Sequence, residues 1–150
     1  MPVTMKDVVN ILDRDEPDYE ALEAFGADAL PHLELLAQSR DPLRAAKAAY
    51  AGTLINGAAA TNLIQQSVKH SDPQVRIAVA HALGRIGARA PVNLVLQLLD
   101  DTDVGVRKIA LRTAASVGKI ELREKVRSIA ASDPHEFMRV NAQGVATKMR

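Results

Sequence analysis

The chain echoes itself about every 31 residues. Asp41-Pro42, Asp72-Pro73, Asp103 and Asp133-Pro134 follow one another at steps of 31, 31 and 30. Gly26, Gly57, Gly87 and Gly118 keep the same beat, at steps of 31, 30 and 31. A fixed period of this size marks a stack of supersecondary units, each too small to bury its apolar face alone. It predicts open surfaces made by neighbouring units rather than one enclosed cleft.

The unit beginning at Asp72 is the clearest. Asp72 suits a helix N-cap and Pro73 the first helical turn. Val75, Ala78, Val79, Ala82, Leu83 and Ile86 then recur at steps of three and four, one apolar stripe on a helix. Gly87 stands where a helix ends in the left-handed conformation. A second helix follows, with Pro91 early in it and Val92, Val95, Leu96, Leu98 and Leu99 facing inward. The unit reads as helix A, tight turn, helix B.

The same frame fits the neighbours. Helix A over 43–55 and helix B over 60–70 form one unit, with Gly52 in the place of Gly84 and a longer turn at Asn56-Gly57. Val106, Ile109, Ala110, Leu111 and Val117 mark another helix A, followed by Leu122, Val126 and Ile129 in helix B. Earlier, residues 19–25 and 30–37 form a shorter pair, Pro31 matching Pro91, after a leading helix 5–12 that Thr4 and Asp7 introduce as a capping box. The expected architecture is all-α, an α-solenoid of antiparallel helix pairs in one domain. Its repeats fall at about 17–40, 41–71, 72–102 and 103–132, and a closing helix lies within 133–150.

The segments Asp72-Pro73-Gln74-Val75-Arg76 and Ala82-Leu83-Gly84-Arg85-Ile86-Gly87, with the Leu-rich helix B, resemble HEAT-like repeats of the short, phycobilisome lyase type. Asp41-Pro42-Leu43-Arg44, Val106-Arg107, Val117-Gly118 and Met138-Arg139 echo them. The resemblance covers residues 18–150 and implies the fold. For function it implies only a class, since such repeats serve as scaffolds, lyases and hydroxylases alike.

Composition narrows the chemistry. Hydrophobic residues make up 47% but aromatics 3%, and 25 alanines supply much of the core. With no Cys, disulfides, thiolate catalysis and Cys-ligated zinc drop out together. No apolar stretch approaches a membrane span, and residues 1–20 lack a signal-peptide core, so a soluble cytoplasmic protein is expected. No phosphate loop, nucleophile elbow or His/carboxylate pair with a nucleophile stands out. His32, His70, His81 and His135 sit at unmatched repeat positions, which predicts no metal and no cofactor.

Charge is unevenly spread. Residues 1–41 hold three basic and ten acidic groups, whereas residues 104–150 hold ten basic and four acidic ones. A solenoid turns this order into an acidic end and a basic end. The basic half, with Arg107, Lys108, Arg112, Lys119, Arg123, Lys125 and Arg127, offers a secondary reading as a polyanion or nucleic-acid binder. Opposite ends also predict weak, salt-sensitive self-association.

Two residue sets stand out. Arg44, Arg76, Arg107 and Arg139 each follow a capping Asp (Asp41, Asp72, Asp103, Asp133) by a few residues, and a structural Asp/Arg brace along the stack is expected. The second set comes from registering each helix B on the Asp after it. Asn62, Asn93 and Arg123 then share one position, and Gln66, Gln97 and Arg127 the position four residues on, with Pro31 and Leu35 leading the row. The family resemblance places helix B on the concave surface. The expected function is therefore a non-catalytic scaffold that binds a protein partner on this row; a bilin lyase or chaperone-like role is implied by repeat resemblance alone.

Overall fold

The computed structural model describes residues 2–55 and 60–149; the expected Asn56-Gly57 turn lies outside them. Among the described residues every regular element is helical: α1 (Met5–Leu12), α2 (Tyr19–Ala24), α3 (Leu30–Leu36), α4 (Pro42–Ile55), α5 (Thr61–Ser67), α6 (Pro73–Ile86), α7 (Val92–Leu99), α8 (Val104–Val117), α9 (Ile120–Ser132) and α10 (Glu136–Lys148). Two 3-10 turns, Gly26–Ala29 and Gly87–Arg89, join α2 to α3 and α6 to α7. None of the described helices is long and apolar enough to cross a membrane. This is the all-helical arrangement of the α-solenoid class, in which α4 packs on α5 and α8 on α9.

Local chemistry sets the boundaries. The Thr4 hydroxyl accepts from Asp7 N at 3.2 Å while the Asp7 carboxylate accepts from Thr4 N at 3.0 Å, a closed capping box at the start of α1. The four periodic aspartates each accept a backbone N–H just ahead: Asp41 from Leu43 at 3.0 Å, Asp72 from Gln74 at 2.8 Å, Asp103 from Val106 at 3.0 Å and Asp133 from His135 at 2.9 Å. The periodic glycines answer at the other end. Gly26, Gly87 and Gly118 all hold positive φ, of 65°, 63° and 69°, a left-handed conformation that Cβ-bearing residues resist. Gly57, the fourth of the series, lies outside the described residues.

The chain divides into two compact units, Met1–Ala82 and Leu83–Arg150, the division falling within α6. In the first, α4 packs against α1, α2, α3 and α5. Its buried residues include Ala45, Ala48, Ala49, Ala51 and Gly52, small residues that let neighbouring axes approach closely. Leu12, Leu22, Leu33, Leu63 and Ile64 fill the space opposite, and the Tyr19 and Tyr50 rings meet edge-on with centroids 4.7 Å apart. In the second unit α8 packs on α7, α9 and α10 around Leu98, Leu99, Leu111, Leu122 and Met138.

Gly52 and Gly84 share a repeat position but not a reason. A Cβ on Gly52 would fall 2.3 Å from Leu63 Cδ1, inside the packed crossing of α4 and α5. On Gly84 it would meet nothing nearer than Thr113 Cα at 3.5 Å, ordinary contact. Gly52→Ala therefore forces Leu63, buried to 1% exposure, to repack, at a cost of about 1–3 kcal/mol. Gly84→Ala removes a helix-interior glycine without a clash and should stabilise by up to about 1 kcal/mol. Urea unfolding midpoints of the two variants should move in opposite directions.

Candidate functional site

The four motif arginines are consumed by the chain itself. Arg76 Nη1 donates to the carbonyls of His70 at 2.6 Å and Ser71 at 3.2 Å. Arg107 Nη1 donates to those of Asp101 at 2.9 Å and Thr102 at 3.4 Å, and Arg139 Nη1 to that of Asp133 at 2.6 Å. The recurring bond thus runs from the guanidinium to a carbonyl six residues back. It satisfies carbonyls just ahead of each helix A, where the chain turns from one helix to the next. Carboxylate pairing is added at Arg44 and Arg107. Arg44 forks onto Asp13, Nε to Oδ1 at 3.1 Å with Nη2 on the second oxygen, and Arg107 Nε reaches Asp133 Oδ2 at 3.2 Å. Asp13 was not among the aspartates singled out from the sequence, though it stands one full period of 31 residues before Arg44.

The Arg107–Asp133 pair is well buried, the two side chains being 12% and 5% exposed. Burial pushes the Asp133 carboxyl up, but the His135 backbone N–H and the Arg107 guanidinium outweigh it and hold the group below the usual carboxylate range. His135 Nδ1 stands 3.3 Å from Arg107 Nη2 and completes the cluster. This arrangement fixes backbone; it presents no free nucleophile, and no three His, Cys, Asp or Glu side chains converge as metal ligands among the described residues.

The helix-B row behaves differently in the two units. In the first, Asn62 and Gln66 are exposed, but Asn62 Nδ2 donates to Glu34 Oε1 at 3.3 Å and Gln66 Oε1 accepts from Gln38 Nε2 at 2.9 Å. These two amides of α5 are therefore engaged by the α3 segment and its end. In the second unit Asn93 and Gln97 lie exposed one turn apart on α7, and Arg123 and Arg127 one turn apart on the adjoining α9. Arg123 is half-buried, and its Nε is the one buried side-chain nitrogen or oxygen with no hydrogen-bond partner among the described residues. Among the other cations of the basic half, Lys125 is paired with Asp100 and Arg107 with Asp133, so neither charge is available to a polyanion.

One residue of this face was missed from the sequence. Ile120 is 62% exposed, and it shares a helical stripe with Arg123 and Arg127 at steps of three and four. Its spacing was the available signal: Leu122, Val126 and Ile129 already supply the buried face of α9, which leaves Ile120 off that stripe.

Truncating Asp133 tests the joint. Asp133→Ala removes the bonds from His135 N and Arg107 and should cost about 1–3 kcal/mol at pH 7. Because the folded carboxyl titrates below its unfolded value near 3.9, its stabilisation is complete above that pH and fades as pH falls below it. Urea unfolding of both proteins from pH 7 to pH 2 should show the gap between them closing below about pH 4.

Comparison with known proteins bears on what such a stack is. No curated protein matches the chain. A family model described as HEAT repeats matches residues 60–145, more than half of the sequence. The match begins one residue before α5, runs through α6 to α9 and ends inside α10. The chain belongs to the HEAT-repeat family.

Proposed function

We propose that the protein is a non-catalytic interaction module that binds a partner protein on the face formed by α7 and α9. HEAT repeats commonly mediate protein–protein interaction. The observation that carries the assignment to this face is Arg123 Nε, a buried guanidinium donor left without an acceptor. A donor in that state costs free energy until something supplies the acceptor. A carboxylate or main-chain carbonyl from a partner can reach it once the half-buried Arg123 side chain turns outward, since guanidinium groups favour planar oxygen acceptors. Asn93 and Gln97 can hydrogen-bond a polar backbone beside it, and Arg127 adds charge at the edge. The exposed Ile120 supplies the apolar contact that favours a protein over a nucleic acid.

The 31-residue period and Asp-Pro openings also suit the short-repeat, phycobilisome lyase-type subclass, a resemblance that carries repeat length and not an activity. A polyanion-binding role would draw on Lys108, Arg112 and Arg127 rather than on Lys125 and Arg107, which are already paired, and it has only two Phe and two Tyr for base stacking.

The test is a capture experiment with the intact protein. Arg123→Ala with Arg127→Ala should weaken the captured partner about 10- to 100-fold by loss of charge-assisted hydrogen bonds, with an unchanged thermal melt. Ile120→Ser should weaken it further. Undiminished capture by the double variant would show the face to be wrong. Retention on duplex DNA that falls steeply with salt would favour the polyanion reading instead.

A further inference from the structure

A second surface of the Leu83–Arg150 unit lies away from the α7/α9 face. Between α8 and α10 runs a groove of about 280 Å³, its sides formed by Lys108 and Arg112 of α8 and by Val140, Val145 and Lys148 of α10. Gly144 forms part of its wall, and a Cβ there would meet no atom within 4 Å. Three features make this more than a crease between helices. Lys108, Arg112 and Lys148 are exposed, and none has an ion-pair or hydrogen-bond partner among the described residues. Val140 is 57% exposed, an apolar side chain that its own unit does not cover. The absence of a side chain at Gly144 leaves room that an incoming side chain can enter.

Three unneutralised cations around an apolar wall select an acidic surface that also brings side chains to bury. The chain carries such a surface itself. Asp15, Glu16, Glu20, Glu23 and Asp28 are all exposed in the first unit, and none has an ion-pair partner among the described residues. They dominate a segment, residues 1–41, with ten acidic groups against three basic ones. We infer that the α8/α10 groove is a docking site for the acidic N-terminal segment of a second copy of this chain. The contact is heterologous, a groove on one copy against a different surface on the next, so it leaves a free groove and a free acidic segment at the two ends. Each copy carries both a groove and an acidic segment, so association grows with concentration. It does not depend on the α7/α9 face.

Sedimentation velocity of the full chain tests this at about 0.01 M ionic strength, where the Debye length is about 30 Å, and at about 1 M, where it is about 3 Å. The weight-average mass should rise with concentration at low salt and fall to the monomer at high salt. Arg112→Glu with Lys148→Glu should weaken association at least tenfold, as should Asp15→Lys with Glu16→Lys and Glu20→Lys. An equimolar mixture of the two charge-reversed proteins should regain association, because each supplies the surface the other has lost. Gly144→Leu fills the groove with a better helix former, so it should melt at or above the wild-type temperature and still fail to associate. A wild-type protein that stays monomeric at low salt overturns the proposal, even where it captures a polyglutamate peptide, since the occupant is then some other acidic partner. Association that survives both Gly144→Leu and the groove reversal overturns the site.

Discussion

The structure depends on how the chain turns from one helix B into the next helix A. At His70–Arg76, Asp101–Arg107 and Asp133–Arg139 the solution has a common core: an aspartate accepts a backbone N–H ahead of it, and an arginine reaches back six residues to a carbonyl. Together they satisfy donors at the start of a helix and carbonyls at the turn before it, the groups a helical repeat would otherwise leave bare at every junction. The aspartate acts on donors and the arginine on acceptors, so neither does the other's work. This explains why the two residue types recur with the period itself. At Arg107 the same guanidinium also takes Asp133, which links one junction of the second unit to the next.

With the junctions fixed by polar bonds, the core has only to be close-packed. It is built from leucines and alanines, with a fully buried Met138 and no tryptophan in the chain. Small residues on α4 and larger ones on its neighbours interdigitate, and the cost of misfit falls on particular crossings. Gly52 is one such crossing and Gly84 is not, although the period treats them alike. A repeat sequence therefore specifies backbone course at the glycines of positive φ and packing only pair by pair.

That division explains what could be read from the sequence. Helix order, the capping box at Thr4 and the left-handed glycines were legible because each is a local signal with its own chemistry. Helix ends were less so: the short helix expected over 60–70 is α5, Thr61–Ser67, and the closing helix begins at Glu136, after the Asp133-Pro134 turn. The acceptors of the motif arginines were not legible, since a main-chain carbonyl has no letter in the sequence. Nor was the contrast along the helix-B row. Asn62 and Gln66 look identical to Asn93 and Gln97 by register, yet only the first pair finds Glu34 and Gln38 within reach. Neighbours supplied by another helix decide which polar residues are spent and which remain.

Because the periodic arginines are spent on junctions, any recognition by positive charge falls to residues outside the motif. In the Leu83–Arg150 unit these lie on two surfaces of different character. On α9 the available group is a guanidinium whose Nε is already desolvated, which demands an acceptor in a fixed direction and rewards geometry over charge. Between α8 and α10 the groups are two lysines and an arginine around uncovered valine, so attraction is long-ranged, tolerant of geometry and screened by salt. The first is suited to reading one particular segment, the second to gathering an acidic surface. One unit can therefore carry both kinds of contact, because its period had already removed the arginines that would have blurred them.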